Sequence, residues 1–367
     1  MFSKKMNYHD YLQVDKLLDA QKLESDAQGK SAHDEMLFII VHQTYELWFK
    51  LILTEIGSIL DIFKGEKVDE KLMDLIVSRL QRVVEIQKIL VNQVGVIETM
   101  TPLDFLEFRD LLIPASGFQS LQFREIENRL GLRRENRLKY NQADYDKSLK
   151  PEHRTHVVET ETEPSLFERV EQWLERTPFL KMQGFDFWQT YKDTVEEALT
   201  ADLKIIQQNP TLSPEDRQRN EMIVNASLTS FRALFDEKSY QEALARGEWR
   251  LSYRAVHAAL LIQLYRDQPA LQLPFRLITA LQDMDELFTT WRHRHALMAK
   301  RMLGLKVGTG GSSGFQYLRD AADKHKVFND FFQLTTFFVP RSKLPVLPKQ
   351  IERELGFFYS NSSSAGQ

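Results

Sequence analysis

The chain has 367 residues, 43% of them apolar and 27% charged, with 48 Lys and Arg against 52 Asp and Glu for a formal net charge of −4. That balance belongs to a globular chain with a sizeable core, and it excludes both a disordered polypeptide and the overall basic field of a nucleic-acid binder. Cysteine is absent, which removes disulfides, thiolate nucleophiles, cysteine-ligated zinc, iron–sulfur clusters and thiolate-ligated haem, and leaves nitrogen or oxygen ligands for any metal.

The N-terminal ten residues hold no apolar signal core. The longest purely apolar run, residues 36–41, is far short of the roughly 18 residues of a membrane span. A reducing, soluble, cytoplasmic setting is expected. Gly (15) and Pro (12) are sparse, so breakers are too few for many short strands, and the expected fold class is all-α.

In chain order, a helix-period segment runs from His33 to about Phe63, its first half apolar nearly all round. A second covers 71–93. Thr101-Pro-Leu-Asp104 then opens a third helix with an N-cap, a proline at the first position and an acid three residues on, and Pro114 stops it near Leu112. Ser165-Leu-Phe-Glu168 and Ser213-Pro-Glu-Asp216 open further helices. A long one spans about 274–303 and ends at Gly304. Residues 135–163 are polar and poor in large aliphatics, so they read as a surface excursion. One short extended stretch is expected at 335–339, and 361–367 read as a disordered tail.

Histidine is where metal chemistry would begin, and no HExxH occurs among the nine. His293 and His295 stand two helical steps apart, about 200° around the axis, so only one can face a given site. A single inward His suits a haem axial ligand, because haem supplies four nitrogens of its own; a hydrogen-bonded or surface histidine explains it as well. His42 shares a face with Phe38, and Tyr45 and Phe49 lie close to that face. This is either a satisfied core histidine or one wall of an apolar pocket. Arg109 lies on an apolar helix face with Phe105 and needs an anion, either a buried acid or a substrate carboxylate held by two parallel hydrogen bonds. Gly308-Thr-Gly-Gly-Ser-Ser-Gly314 packs four glycines into seven residues. It is no P-loop, and it reads as a linker or as a loop that closes over a ligand.

Four segments together resemble the tryptophan 2,3-dioxygenase family: Tyr8-His-Asp-Tyr11-Leu; His33-Asp-Glu-Met-Leu-Phe-Ile-Ile-Val-His42-Gln-Thr-Tyr-Glu-Leu-Trp-Phe-Lys50; Met100-Thr-Pro-Leu-Asp-Phe105 through Arg109 to Pro114-Ala-Ser-Gly-Phe-Gln-Ser-Leu-Gln-Phe-Arg124; and the glycine loop. The resemblance covers about residues 8–340. It implies one helical haem-binding domain over 1–360, a helical core with peripheral helices. It also implies a haem b in each subunit, O2 as co-substrate and L-tryptophan as substrate. The product is N-formyl-L-kynurenine, the first step of tryptophan catabolism by the kynurenine pathway.

By the same resemblance the axial ligand is His295, fourteen residues before Thr309, which chooses against His293. His42 takes the distal place and bonds the indole N–H, and Phe38 packs on the indole. Arg109 pairs the substrate carboxylate, Thr309 engages its amino and carboxylate groups, and Ser116 sits on the distal side of the haem. Phe105 stands where some members carry Tyr. The resemblance further implies a homotetramer in which Tyr8 and Tyr11 reach a neighbouring subunit's site, with neither nucleic acid nor membrane as partner. Two departures stand out: Gly314-Phe315 where the family often has Gly-Tyr, and His293-Arg294-His295 where it often has Tyr-Asn-His. A non-catalytic haem or indole binder and an enzyme for a modified indole are the rival readings.

Overall fold

Punctuation read from the sequence is where the backbone turns. A computed structural model describes residues 6–65, 68–139, 144–177, 187–304, 306 and 314–356, and among these no strand occurs. The glycine loop before Gly314, Thr309 included, and the tail 361–367 lie outside the described residues.

The main helices are α1 (His33–Phe63), α2 (Met73–Ile97), α3 (Pro102–Arg109), α4 (Leu121–Leu130), α5 (Pro151–Thr162), α6 (Leu166–Glu175), α7 (Phe187–Gln208), α8 (Pro214–Ala233), α9 (Glu237–Ala245), α10 (Tyr253–Leu264), α11 (Gln272–Leu303) and α12 (Gly314–Lys324). Short turns Tyr8–Leu12 and Val14–Leu18 precede them. Thr101 and Asp104 form a reciprocal capping box at α3, as do Ser165 and Glu168 at α6. α3 tightens into a 3-10 turn, Asp110–Leu112, before Pro114. α11 stops at Gly304, whose φ of +60° is left-handed and open to glycine at little cost.

The described chain divides into two compact units. The first comprises Met1–Gly57, Arg82–Glu163 and Glu286–Lys326. Its apolar centre joins Val41 of α1, Ile97 of α2, Phe108 of α3 and Met302 of α11, with Phe38, Phe105 and Met298 packed against them. Directional bonds pin these helices: Tyr45 donates to the Leu90 carbonyl at 2.9 Å, and Gln93 to the Val41 carbonyl at 3.0 Å. Ser120 and Gln122 donate to the Glu46 carboxylate at 2.6 and 2.7 Å.

By length and composition alone α1 could cross a membrane. Its acids are nonetheless satisfied by protein groups: Glu46 is held as above, Glu35 accepts from two backbone N–H groups and Glu55 pairs with Arg82 at 2.7 Å. Residues 135–163 carry α5, whose Val157 and Thr160 are buried; Asn128 of α4 donates to the Val157 carbonyl and the Thr160 hydroxyl. Buried Leu149 and Val157 attach this stretch together with these polar bonds.

The second unit comprises Ser58–Gln81, Pro164–Asp285 and Val327–Gln367. Buried carboxylates organise its turns. Asp285 accepts from the N–H groups of Val327 and Phe328, and Asp330 from those of Arg250 and Leu251. The stretch expected as extended at 335–339 is instead a 3-10 turn over Leu334–Phe337. Leu334 and Phe337, three apart, fall on one side of that turn and both are buried. Burial of that pair outweighs the β preference of Thr335 and Thr336.

Phe108 is fully buried at the centre of the first unit. Phe108→Ala should cost about 3–5 kcal/mol of unfolding free energy, read from urea melts, and loosen the helix that carries Arg109.

Candidate active site

Helical spacing brings the site residues to one cavity of about 310 Å³ within the first unit. From α1 come Phe38, His42, Tyr45, Glu46 and Phe49, offset by 4, 7, 8 and 11 residues, which is one helical face. α3 adds Phe105 and Arg109, four apart, and the turn after it adds Ser116. α4 supplies Phe123, Arg124 and Glu127; α11 supplies Trp291, Arg292, His295, Met298 and Met302; α12 supplies Tyr317 and Ala321, and His325 follows it. Six residues singled out from the sequence therefore line one hollow: Phe38, His42, Phe105, Arg109, Ser116 and His295. Tyr8 and Tyr11 are not among the lining residues and are 70% and 68% exposed.

His42 Nδ1 lies 2.7 Å from the Phe38 carbonyl. A carbonyl only accepts, so Nδ1 carries the hydrogen and Nε2 keeps a lone pair. His42 retains accessible surface because it faces the hollow, yet protein encloses it. Burial pushes its pKa down, partly opposed by the Phe38 carbonyl and Glu46. The imidazole is neutral at pH 7.

Phe38 stacks on Phe105 (5.8 Å between centroids, 25°), and Phe108 meets both edge-on at 5.6 and 5.5 Å. This forms an aromatic wall beside His42, whose ring centroid is 4.1 Å from that of Phe38. The Arg109 side chain is only 13% exposed, and its Nη1 is 3.7 Å from Asp110 Oδ1. The Asp110 carboxylate is 81% exposed, so water screens that pair. Ser116 caps a 3-10 turn through Phe118 N–H, which holds the turn against the cavity.

Across α11, His295 has no hydrogen-bond partner among the described residues, and Trp291 flanks it at 5.3 Å. Burial drives its pKa down to about 4, with the neighbouring His42 contributing. His293 points elsewhere, 3.5 Å from Asp323 on the surface. The two-step spacing thus resolves in favour of His295 at the cavity.

A buried charge cluster that no sequence pattern indicates lines the same cavity. Glu127 is buried and accepts from Arg124 (2.8 Å), Arg137 (2.5 Å) and Arg292 (2.9 Å). Burial opposes its ionisation, but the three guanidiniums overcome that and hold its pKa far below the usual carboxylate range. His325 Nε2 accepts from Leu138 N–H at 3.1 Å, and burial lowers its pKa to about 4 despite Glu127. Three cations on one carboxylate leave a surplus of positive charge, and Arg124 Nε is buried without a partner. Arg124 and Glu127 stand three apart on α4, and the others come from distant segments.

A b-type haem demands an enclosed neutral imidazole for its iron, an apolar hollow for its ring and cations for its two carboxylates. His295 meets the first demand. The aromatic and methionine lining meets the second, and Arg124 with Arg292 the third, so the residues fit the group.

The profile of the family described as Tryptophan 2,3-dioxygenase matches residues 1–338. A protein of Bdellovibrio bacteriovorus named Tryptophan 2,3-dioxygenase is 55% identical over 96% of this chain and 99% of its own. One of the same name from Dictyostelium discoideum is 48% identical over 96% of this chain and 88% of its own, and Tryptophan 2,3-dioxygenase B of Danio rerio is 47% identical over 94% and 85%.

A folded-state pKa below the unfolded value means that, on acidification, the unfolded chain takes up a proton first. The stability lent by a neutral buried imidazole is therefore present above about pH 6.5 and falls as pH drops toward the folded value. For His325 that window runs from 6.5 to about 4. Urea melts of the haem-free protein between pH 6.5 and 5 should show a steady loss of stability, and His325→Gln, which keeps an acceptor for Leu138 N–H, should show a shallower one.

Proposed function

The chain belongs to the tryptophan 2,3-dioxygenase family, and we infer from that premise that it opens the indole ring of L-tryptophan between C2 and C3, using one haem b per subunit and delivering both atoms of O2 into N-formyl-L-kynurenine. The observation that carries this reading is the convergence of Phe38, His42, Phe105, Arg109, Ser116 and His295 on one cavity. The haem, when bound, supplies the activation of oxygen. The protein supplies binding, orientation and exclusion of water.

His295 is the residue to hold the iron, as an enclosed neutral imidazole. Arg124 and Arg292 would meet the haem carboxylates. Arg109 grips the carboxylate of tryptophan, a role the family resemblance shares with Thr309. Phe38 and Phe105 wall the indole. His42 Nε2 accepts the indole N–H, which fixes the ring's rotation about the anchored amino-acid end. Two anchors at opposite ends of a rigid ring leave it little freedom, and orientation of this kind lowers a barrier by several kcal/mol. Ser116 borders the same side. His42 holds a proton at Nδ1 and offers a lone pair at Nε2, so its task is to position.

The turns Tyr8–Leu12 and Val14–Leu18 bury none of their residues, and Met6, Tyr8, Tyr11 and Leu18 are all exposed. Apolar and aromatic surface of this kind is suited to another copy of the chain. We read the enzyme as a cytoplasmic homotetramer in which Tyr8 and Tyr11 reach a neighbour's site. Four copies by sedimentation, reduced to fewer by Tyr8→Ala with Tyr11→Ala, is the expected result.

Reduced, haem-loaded protein mixed with L-tryptophan and air should form N-formylkynurenine; bound haem without turnover would make the chain a binder only. His295→Ala should lose the Soret band. Arg109→Gln should raise KM by roughly 30- to 150-fold, the worth of about 2–3 kcal/mol for hydrogen bonds to a charged group. His42→Ala should slow turnover about tenfold without abolishing it, in line with one lost neutral hydrogen bond.

A further inference from the structure

Residues 292–295 of α11 point in four directions, as 100° steps require. Arg292 reaches inward, donating to Glu127 Oε1 at 2.9 Å and to the His325 carbonyl at 3.1 Å. His293 faces Asp323. Arg294 reaches α2, where Nη1 donates to the Val91 carbonyl at 2.8 Å and Nη2 to Glu98 Oε2 at 3.0 Å. His295 faces the cavity.

The apolar side chains of α11 around the hollow, Met298 and Met302, pack without a directional preference and tolerate small rotations of the helix. A planar guanidinium bound to two fixed acceptors does not. One acceptor is a backbone carbonyl inside α2, whose position no side-chain rotation can change. Gly95 lies beneath the crossing, and a Cβ built there would sit 3.8 Å from Arg294 Nη2, so the guanidinium lies closely against the α2 backbone. The Arg294 and Glu98 side chains are 34% and 25% exposed, enough burial for hydrogen-bond geometry to matter beyond screened charge. Arg292 and Arg294, about 200° apart, grip the helix from opposite sides.

We propose that Arg294 is the positioning residue for His295: by tying α11 to the Val91 carbonyl and Glu98 it fixes the rotation of the helix that presents His295 to the cavity, and so would set how firmly a haem held by His295 is retained. This rests on the haem reading above. The Arg294 guanidinium is turned to α2, so its influence on the His295 ring runs through the helix. The measurement is transfer of haem from the holoprotein to excess apomyoglobin, read at the Soret band, with the iron–histidine stretch of the ferrous form recorded by resonance Raman.

Arg294→Gln should release haem about tenfold faster, the low end of what outer partners of a ligand are worth, and shift or broaden the iron–histidine band. Arg294→Lys, which reaches one acceptor at a time, should recover part of the loss. An Arg294→Gln protein that releases haem at the parent rate with an unchanged band overturns the proposal, whatever happens to its unfolding midpoint. If Arg294→Gln does not fold, Glu98→Ala, which removes the acceptor, decides in the same assay: faster release supports the proposal and parental release overturns it. A parent chain that never holds haem would instead refute the functional reading, so the two failures are distinct.

Discussion

A carboxylate buried among three guanidiniums is the constraint on which the cavity depends. Glu127 draws together α4 through Arg124, the segment after it through Arg137, and α11 through Arg292. Taking these charges out of water costs several kcal/mol each, and only close hydrogen bonds in a fixed arrangement recover it. The helices therefore have little latitude about where they meet. Arg292 also holds the His325 carbonyl, which anchors the far end of α12. Three walls of the hollow are set by one side chain.

That cluster also shows why the sequence disclosed the fold better than the charged end of the site. Helix starts are local events: Thr101 with Asp104, or Ser165 with Glu168, needs four residues to be recognised and four residues to form. The apolar period that marks His33–Phe63 is equally local. Leu334–Phe337 misled because two buried residues three apart, flanked by β-branched threonines, satisfy a tight turn and a short strand alike. The environment of Glu127 joins residues up to 198 positions apart, from Glu127 to His325, and no spacing rule reaches that far. Residues 135–163 read as a surface excursion for a related reason. Among the described residues there, only Leu149 and Val157 are buried aliphatics, and the rest of the attachment runs through Asn128, Thr160, Tyr145 and Arg137, which look solvent-directed in a sequence.

The histidine pair falls between these cases. Angular reasoning reduced the choice to one of two imidazoles, and the resemblance selected His295. The physical discriminator is what lies around the helix. His293 has a surface carboxylate opposite it, whereas His295 has Trp291, His42 and burial. Only the three-dimensional neighbours carry that distinction. Phe38, Phe105 and Arg109 were legible as faces of helices, but the fact that the faces belong to a single hollow was not.

Charge is distributed along this hollow in a way that matches the proposed ligands. The middle holds two neutral imidazoles, and each resists protonation partly because of what surrounds it; His295 is depressed further by His42 itself. Burial is the main cause for both rings, and protonating one would make a second cation beside it costlier still, so the pair does not carry two charges. Positive charge is confined elsewhere, to Arg109 near the aromatic wall and to the Arg124/Arg292 cluster. Haem and tryptophan are both flat apolar bodies with carboxylates at an edge. On the proposed function, a hollow that is apolar and uncharged where a ring would lie, and cationic where a carboxylate would end, would orient both by the same rule: reversing either ligand would strand a carboxylate against phenylalanine. Each such mismatch costs several kcal/mol, more than the contacts of a reversed ring could return.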